Sequence, residues 1–155
     1  MNVYIWRISR KVSSMVAYTL SDGKLIPAPN IPTLKDAIER FGDGLYTVMR
    51  TVNITNILSV GMHAERVQLS PERVKWMARC MWEGERWCEE QRLTIANFEK
   101  SKSLYCLSEP LPKRPKQYPV RVISVYADRQ DAQHKRTEWV RDRLPLIHED
   151  FEETV

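Results

Sequence analysis

The sequence has few cysteines, and their spacing excludes two common uses of that residue. Cys80, Cys88 and Cys106 are the only three among 155 residues, and no two of them form a CxxC pair. On a helix, Cys80 and Cys88 would lie about 12 Å apart along the axis, beyond the reach of a disulfide. The spacing argues against a disulfide scaffold or a cysteine-based zinc site. It predicts three small buried thiols in a reducing compartment.

Signatures of catalysis and of phosphate binding are also missing. The chain has no GxSxG, HExxH or Walker sequence and only five glycines. Gly42-Asp43-Gly44 leads from a predicted helix into a predicted strand, whereas a phosphate loop leads from a strand into a helix. We therefore predict no catalytic residues, no metal site and no cofactor, and we expect a non-enzymatic protein.

Long hydrophobic runs are absent as well. No apolar stretch approaches the ~18 residues that a membrane span needs. The N-terminal stretch Val3 to Ile8 is interrupted by Arg7 and is too short for a signal peptide. At 43% hydrophobic and 28% charged residues the composition is that of a globular chain. We expect one domain over residues 1–155, no membrane contact and a cytoplasmic location.

The longest continuous pattern runs from Ser70 to Lys102 and predicts one long central helix. Ser70 can cap the first free N–H groups, and Pro71 follows at the first helical position. Apolar residues then recur at helical spacing on one face: Val74, Met77, Met81, Cys88 and Ile95. The polar strip is narrower and contains Lys75, Arg79, Glu83 and Arg86. The wide apolar arc indicates burial on two sides.

The same stretch can also be written as heptads, which would allow a coiled-coil dimer. Gly84 and Gln91 interrupt the heptad seam, so an intramolecular core helix is the preferred interpretation. If the chain self-associates through this helix, the contacting residues would be Met77, Met81, Trp82 and Cys88.

Short strands and turns precede the long helix. Asn2 to Ile8 and Met15 to Leu20 alternate as strands, and Asp22-Gly23 predicts a tight hairpin leading to Lys24 to Pro27. Thr33 should cap a short helix that stops at Gly42. Two further strands are predicted at Leu45 to Asn53 and His63 to Leu69.

A strand–helix unit is predicted after the long helix. The strand is Val120 to Tyr126, and the helix begins at Asp128. The predicted fold class is α+β: a small antiparallel sheet with an N-terminal hairpin, packed on one long central helix, plus this C-terminal unit.

Charge is distributed unevenly along the chain, although the net charge is only +4. Residues 108–119 contain four of the nine prolines and are predicted to form a basic internal linker. Lys113 to Arg143 has nine basic and four acidic residues, a local charge of +5, while the last twelve residues have four acids and no Lys or Arg. Residues 145–155 are accordingly an acidic tail.

The basic segment leads to the predicted function, a small non-enzymatic nucleic-acid-binding protein. Clustered Lys and Arg can contact phosphates without a sequence motif. The candidate contacts are Lys113, Arg114, Lys116, Arg121, Lys135, Arg136, Arg141 and Arg143. The partner would be DNA or RNA, and a homo-oligomer is possible.

Two other functions remain open at this stage. The first is an oligomeric interaction or structural protein, such as a viral or mobile-element accessory protein or virion subunit, assembled through the long helix. The second is a metal-independent ribonuclease, because Arg129 and His134 match the Arg-x4-His spacing of the HEPN class. With this arginine content about one such match is expected by chance, so the spacing is weak support.

Overall fold

A computed structural model describes residues 15–111 and 136–138. These residues form a six-stranded antiparallel sheet of strand order β2-β1-β6-β5-β3-β4, with three helices. The strands are β1 (Val16–Ser21), β2 (Lys24–Pro27), β3 (Leu45–Val52), β4 (Asn56–Ile57), β5 (Gln91–Phe98) and β6 (Ser103–Pro110). The helices are α1 (Leu34–Phe41), α2 (Val60–Arg66) and α3 (Pro71–Glu85).

The predicted hairpin between β1 and β2 is present. Asp22 and Gly23 both have positive φ, 48° and 73°, as a two-residue hairpin turn requires. Ser21 pairs with Lys24 at the end of the ladder. Local turn chemistry was therefore sufficient to place this element.

The cap of α1 also agrees with the sequence. Thr33 accepts a hydrogen bond from the backbone N–H of Asp36, and the Asp36 carboxylate accepts one from the N–H of Thr33. The helix ends at Gly42, whose φ of 87° suits glycine. This reciprocal pair is the capping box that Thr33 predicted.

The sheet has a core on each side. Helix α3 packs on one face, where Met77, Met81, Leu93 and Ile95 are fully buried together with Cys106. Helix α1 covers the opposite face, where its Ala37 packs in one core with Phe98, Tyr105 and Leu107 of the sheet. The central strands β5 and β6 are consequently buried on both faces.

The predicted fold class is wrong in its central element. Helix α3 begins at Pro71 with Ser70 as its cap, as expected, but it ends at Glu85 instead of continuing to Lys102. Arg86 then adopts a left-handed conformation with φ 52°, which stops the helix. The rest of the predicted helix consists of a short connection, strand β5 and the turn that leads to β6. The architecture is a six-stranded antiparallel sheet with helices on its faces, not a small sheet on one long helix.

Burial on both faces explains why β5 resembled a helix. A strand with one exposed face alternates polar and apolar residues, but a strand covered on both faces loses that alternation. In β5, Leu93, Thr94, Ile95 and Ala96 are consecutive and all buried. The predicted strand His63 to Leu69 is wrong too, because His63 lies in α2.

Several predictions fall outside the described residues. They are the strands Asn2 to Ile8 and Val120 to Tyr126, the helix that begins at Asp128, and the acidic tail 145–155. The predicted linker starts within β6, at Ser108–Pro110, and its residues 112–119 are not described. In the part of the chain that the structure describes, no helix is long and apolar enough to cross a membrane.

A candidate ligand-binding groove

A groove of about 400 Å³ lies between α3 and the chain segment that contains β4 and the start of α2. Its floor is apolar and is formed by Ile57, Val60, Ala78 and Trp82. Its rims are polar and consist of Thr55 and Asn56 on one side and Lys75, Arg79 and Glu83 on the other. We call it the α3 groove. An apolar floor with a few polar groups at the edge is the usual composition of a small-molecule site.

The cationic rim follows from the helical repeat. Lys75, Arg79 and Glu83 recur at four-residue intervals, so they lie on one exposed face about 6 Å apart along the axis. Trp82 is half-buried beside them, and the guanidinium of Arg86 lies 4.5 Å from the centre of its ring. This contact is a cation–π interaction and holds the indole in place. The α3 wall thus presents three cations, one carboxylate and an aromatic ring.

A strained turn immediately precedes Thr55, where the opposite wall of the groove begins. Asn53 and Ile54 both have positive φ, 52° and 70°, and a positive φ is unusual for a β-branched residue such as Ile54. The side-chain N–H of Trp87 donates to the carbonyl of Ile54 at 3.0 Å. The N–H of Ile54 donates to the Glu90 carboxylate at 3.2 Å. Strain of this kind persists only where the surroundings enforce it, and it occurs most often at functional sites.

Glu90 connects this turn to the sheet. Its carboxylate also accepts a hydrogen bond from the hydroxyl of Thr51, whose oxygen in turn accepts from the N–H of Gln91 at 2.8 Å. The Thr51 hydroxyl is the main cause of a lowered pKa at Glu90, assisted by the N–H groups of Ile54 and Asn53 and by the charge of Arg50. Glu90 therefore stays ionised and fixes the turn that precedes Thr55.

A second carboxyl group, the half-buried Glu85, lies at the end of α3 and has a structural role. Glu85 accepts a hydrogen bond from the hydroxyl of Tyr18 at 3.0 Å and from that of Ser108 at 2.7 Å. Burial raises the pKa of Glu85, and the two hydroxyl groups partly oppose that shift. Burial and the neighbouring Glu85 carboxylate likewise raise the pKa of Tyr18. These contacts tie α3 to β1 and β6.

The raised pKa of Glu85 makes stability depend on pH. The folded state binds the proton of the Glu85 carboxyl more tightly than the unfolded chain does. The contribution of protonated Glu85 to the free energy of unfolding is therefore present at acid pH and is lost as pH rises through the folded pKa. Glu85→Gln keeps an oxygen for both hydroxyl groups without the half-buried charge. Its melting temperature relative to wild type should therefore rise by a few degrees between pH 4 and pH 8, while exposed Glu83→Gln shows no such trend. A neutral-pH loss of stability in Glu85→Gln would contradict this account.

Most of the predicted nucleic-acid contacts lie outside the described residues. These are Lys113, Arg114, Lys116, Arg121, Lys135, Arg141 and Arg143, together with the ribonuclease pair Arg129 and His134. Arg136 is described. Its backbone forms an isolated antiparallel β-bridge with Leu45, the first residue of β3. Its Nε lies 3.6 Å from the Glu138 carboxylate. It lines a hollow of about 170 Å³ together with three acidic residues, Asp43, Glu99 and Glu138, and one other basic residue, Lys100.

The predicted self-association residues do not share one surface. Met77 and Met81 are fully buried against the sheet and cannot contact a partner in the folded chain. Cys88 is exposed but follows the end of α3. Trp82 lines the α3 groove. Assembly through one long helix is therefore wrong, although self-association itself stays a prediction.

The sequence contained part of the signal for the α3 groove. Lys75, Arg79, Glu83 and Arg86 appeared as a polar strip, but nothing assigned them a ligand. The contribution of Asn56 depends on tertiary structure, because only the fold brings it to the same groove as Arg79. Among the residues that the structure describes, no group of three His, Cys, Asp or Glu side chains could bind a metal ion.

Comparison with protein-family models gave no match, and neither did comparison with curated proteins. Comparison with solved structures gave matches, which include the following two. One, a proposed branched-chain amino acid aminotransferase from Thermotoga maritima, is 16% identical and has a TM-score of 0.48, covering 64% of this chain and 39% of that one. The other, a hypothetical aminotransferase from Mycobacterium tuberculosis in a PLP-bound form, is 20% identical with a TM-score of 0.41, covering 63% and 40%.

These neighbours conflict with the prediction of a small non-enzymatic nucleic-acid-binding protein, so we withdraw that function. They do not supply another. Both identities are below 25% and both TM-scores below 0.5, and the chain spans about two fifths of either neighbour. No activity, substrate or cofactor of this chain follows from them.

Proposed function

We propose that this chain binds a small aromatic anion in the α3 groove. The proposal rests on one observation: Lys75 and Arg79 line the same groove as an apolar floor that includes Trp82. Hydrogen bonds from a cation to an anion are stronger than those between neutral groups. An aromatic ring gains from contact with an indole. A ligand that combines both features uses the whole groove.

The rims also set the orientation of the ligand. Lys75 and Arg79 occupy one part of the helical rim, and Glu83 follows one turn further on. The anionic group should lie at Lys75 and Arg79, because Glu83 would repel it. The aromatic body then extends over Ile57 and Trp82. Asn56 and Thr55, on the opposite rim, supply amide and hydroxyl groups for polar substituents.

Isothermal titration calorimetry with phenyl phosphate tests this proposal. We expect saturable binding that is tighter than that of inorganic phosphate, which lacks the ring, and of benzyl alcohol, which lacks the charge. The double variant Lys75→Ala/Arg79→Ala should weaken phenyl phosphate binding about 100-fold, since each charged contact contributes roughly 1.5 kcal/mol.

The matched control removes two cations from the other face of the sheet. Lys35 and Arg40 are exposed on α1, so Lys35→Ala/Arg40→Ala changes the net charge equally and leaves the α3 groove intact. Its affinity for phenyl phosphate should equal that of the wild type. Equal losses of affinity in both double variants would show that only the net charge of the protein matters, and would refute a site in the groove.

We also propose that the chain works in a reducing compartment such as the cytoplasm. All three cysteines are free thiols: Cys106 is buried, Cys80 is half-buried and Cys88 is exposed. Free thiols of this kind are usual where disulfides are kept reduced. Fractionation of a tagged chain, with thiol labelling of Cys88 before and after cell lysis, tests the location.

A further inference from the structure

A second concave region, separate from the α3 groove, lies at the outer edge of β3. It encloses about 290 Å³ and has two arginines, Arg50 and Arg92, beside the apolar side chains of Val48, Leu58, Met62 and Leu111. We call it the edge hollow. The segment from Asn56 to His63 separates the two regions: Asn56, Ile57 and Val60 line the groove, and Leu58, Met62 and His63 line the hollow.

The two arginines form a like-charged pair within the sheet. Arg50 on β3 lies directly opposite Arg92 on β5, and Arg92 lies directly opposite Glu109 on β6. Like charges in directly opposite positions destabilise a sheet. The Nε of Arg92 donates to Glu109 at 2.5 Å, and this bond raises the pKa of Arg92. The charge of Arg92 is therefore paired with a carboxylate.

Arg50 is the arginine of this pair whose charge is available to a ligand. It is exposed, and within residues 15–111 and 136–138 no carboxylate lies at ion-pair distance from it. Its charge does lower the pKa of Glu90, but that carboxylate is bonded to Thr51 and Ile54. A guanidinium is well suited to bind an incoming carboxylate with two parallel hydrogen bonds.

Exposed apolar side chains adjoin these arginines. Leu58 is 55% exposed and Met62 is 48% exposed, and they are two of the four large hydrophobic residues exposed in the described part of the chain. Both line the edge hollow. Apolar side chains gathered at a concave surface often mark a binding site. Methionine is suited to a flexible ligand because its own side chain adapts its shape.

We propose that the edge hollow binds the carboxylate of an aliphatic acid. Arg50 binds the carboxylate, while Arg92 stays paired with Glu109. Leu58 and Met62 contact the hydrocarbon chain. This site is independent of the α3 groove, since the two have no lining residue in common.

The test uses octanoate and follows the methyl groups of methionine by NMR. We expect saturable shifts of the Met62 methyl signal, assigned with Met62→Leu, while the buried Met77 and Met81 signals stay constant. Affinity should rise about two- to threefold for each methylene added from butanoate to octanoate, because each added group is partly buried. Arg50→Gln should weaken octanoate binding about tenfold or more.

Two controls separate this proposal from simple hydrophobic adsorption. Octylammonium has the same chain and the opposite charge, and it should not shift Met62. Lys75→Ala/Arg79→Ala should bind octanoate as the wild type does, whatever its effect on phenyl phosphate. Equal responses to octanoate and octylammonium, an unchanged affinity in folded Arg50→Gln, or no shift of Met62 at millimolar octanoate would each overturn the proposal.

Discussion

Replacing Gly44 with alanine should lower the free energy of unfolding by at least about 3 kcal/mol. A Cβ at this position would lie 2.4 Å from the carbonyl oxygen of Asn97 and 3.0 Å from the Cα of Phe98. Both atoms belong to the backbone of the paired strand β5, so they cannot rotate away as a side chain would. Relief of the clash requires β3 and β5 to separate.

Gly44 also ties the edge of the sheet to residues 136–138. Its N–H donates to the hydroxyl of Thr137 at 2.7 Å, and its carbonyl accepts from the N–H of Thr137 at 2.9 Å. Displacement of Gly44 would disturb these bonds too. Urea unfolding measures the loss, and Gly61→Ala is the control, because a Cβ at Gly61 meets no atom within 4 Å. A loss under about 1 kcal/mol for Gly44→Ala would contradict the strand packing described above.

Replacing Met77 with alanine should lower the free energy of unfolding by about 2–5 kcal/mol. Met77 is completely buried in the core between α3 and the sheet, so truncation removes apolar contacts and leaves a cavity. The half-exposed Met62 is the matched control, and Met62→Ala should change stability by less than about 1 kcal/mol.

The same variant separates the core role of Met77 from the self-association role that the heptad pattern suggested. A core residue affects the urea midpoint and leaves the molar mass of the folded protein unchanged. Light scattering of the folded fraction should therefore give equal masses for wild type and Met77→Ala. A lower molar mass with unchanged stability would indicate instead that Met77 contacts a second subunit.

Local signals in the sequence predicted local structure accurately. Asp22-Gly23 predicted the β1–β2 turn, Thr33 the start of α1, and Ser70 with Pro71 the start of α3. Each of these signals acts within four residues through a backbone preference or a single cap, so no tertiary information was needed. Gly42 predicted the end of α1 for the same reason.

The errors arose where tertiary structure decides. The end of α3 is made by Arg86 in a left-handed conformation, without the glycine that usually marks such a stop. Beyond it, β5 is covered on both faces, so Leu93 to Ala96 show no alternation. The continuous apolar pattern therefore seemed to extend the helix.

The α3 groove could be predicted only in part. Lys75 and Arg79 share a helical face in any helix that begins at Pro71, and Trp82 lies next to them. The sequence could not have linked Asn56 to the groove or Glu90 to the neighbouring turn, because both positions depend on tertiary structure. Pairing between residues distant in sequence is what a single sequence leaves unspecified.

The most direct test of the account is to locate phenyl phosphate on the protein by NMR of the backbone amides. A ligand bound in the α3 groove should give saturable shifts on both walls, at Thr55 to Val60 and at Lys75 to Glu83, with the amides of α1 unchanged. Shifts confined to other surfaces, or shifts that increase linearly without saturation across the whole chain, would contradict it.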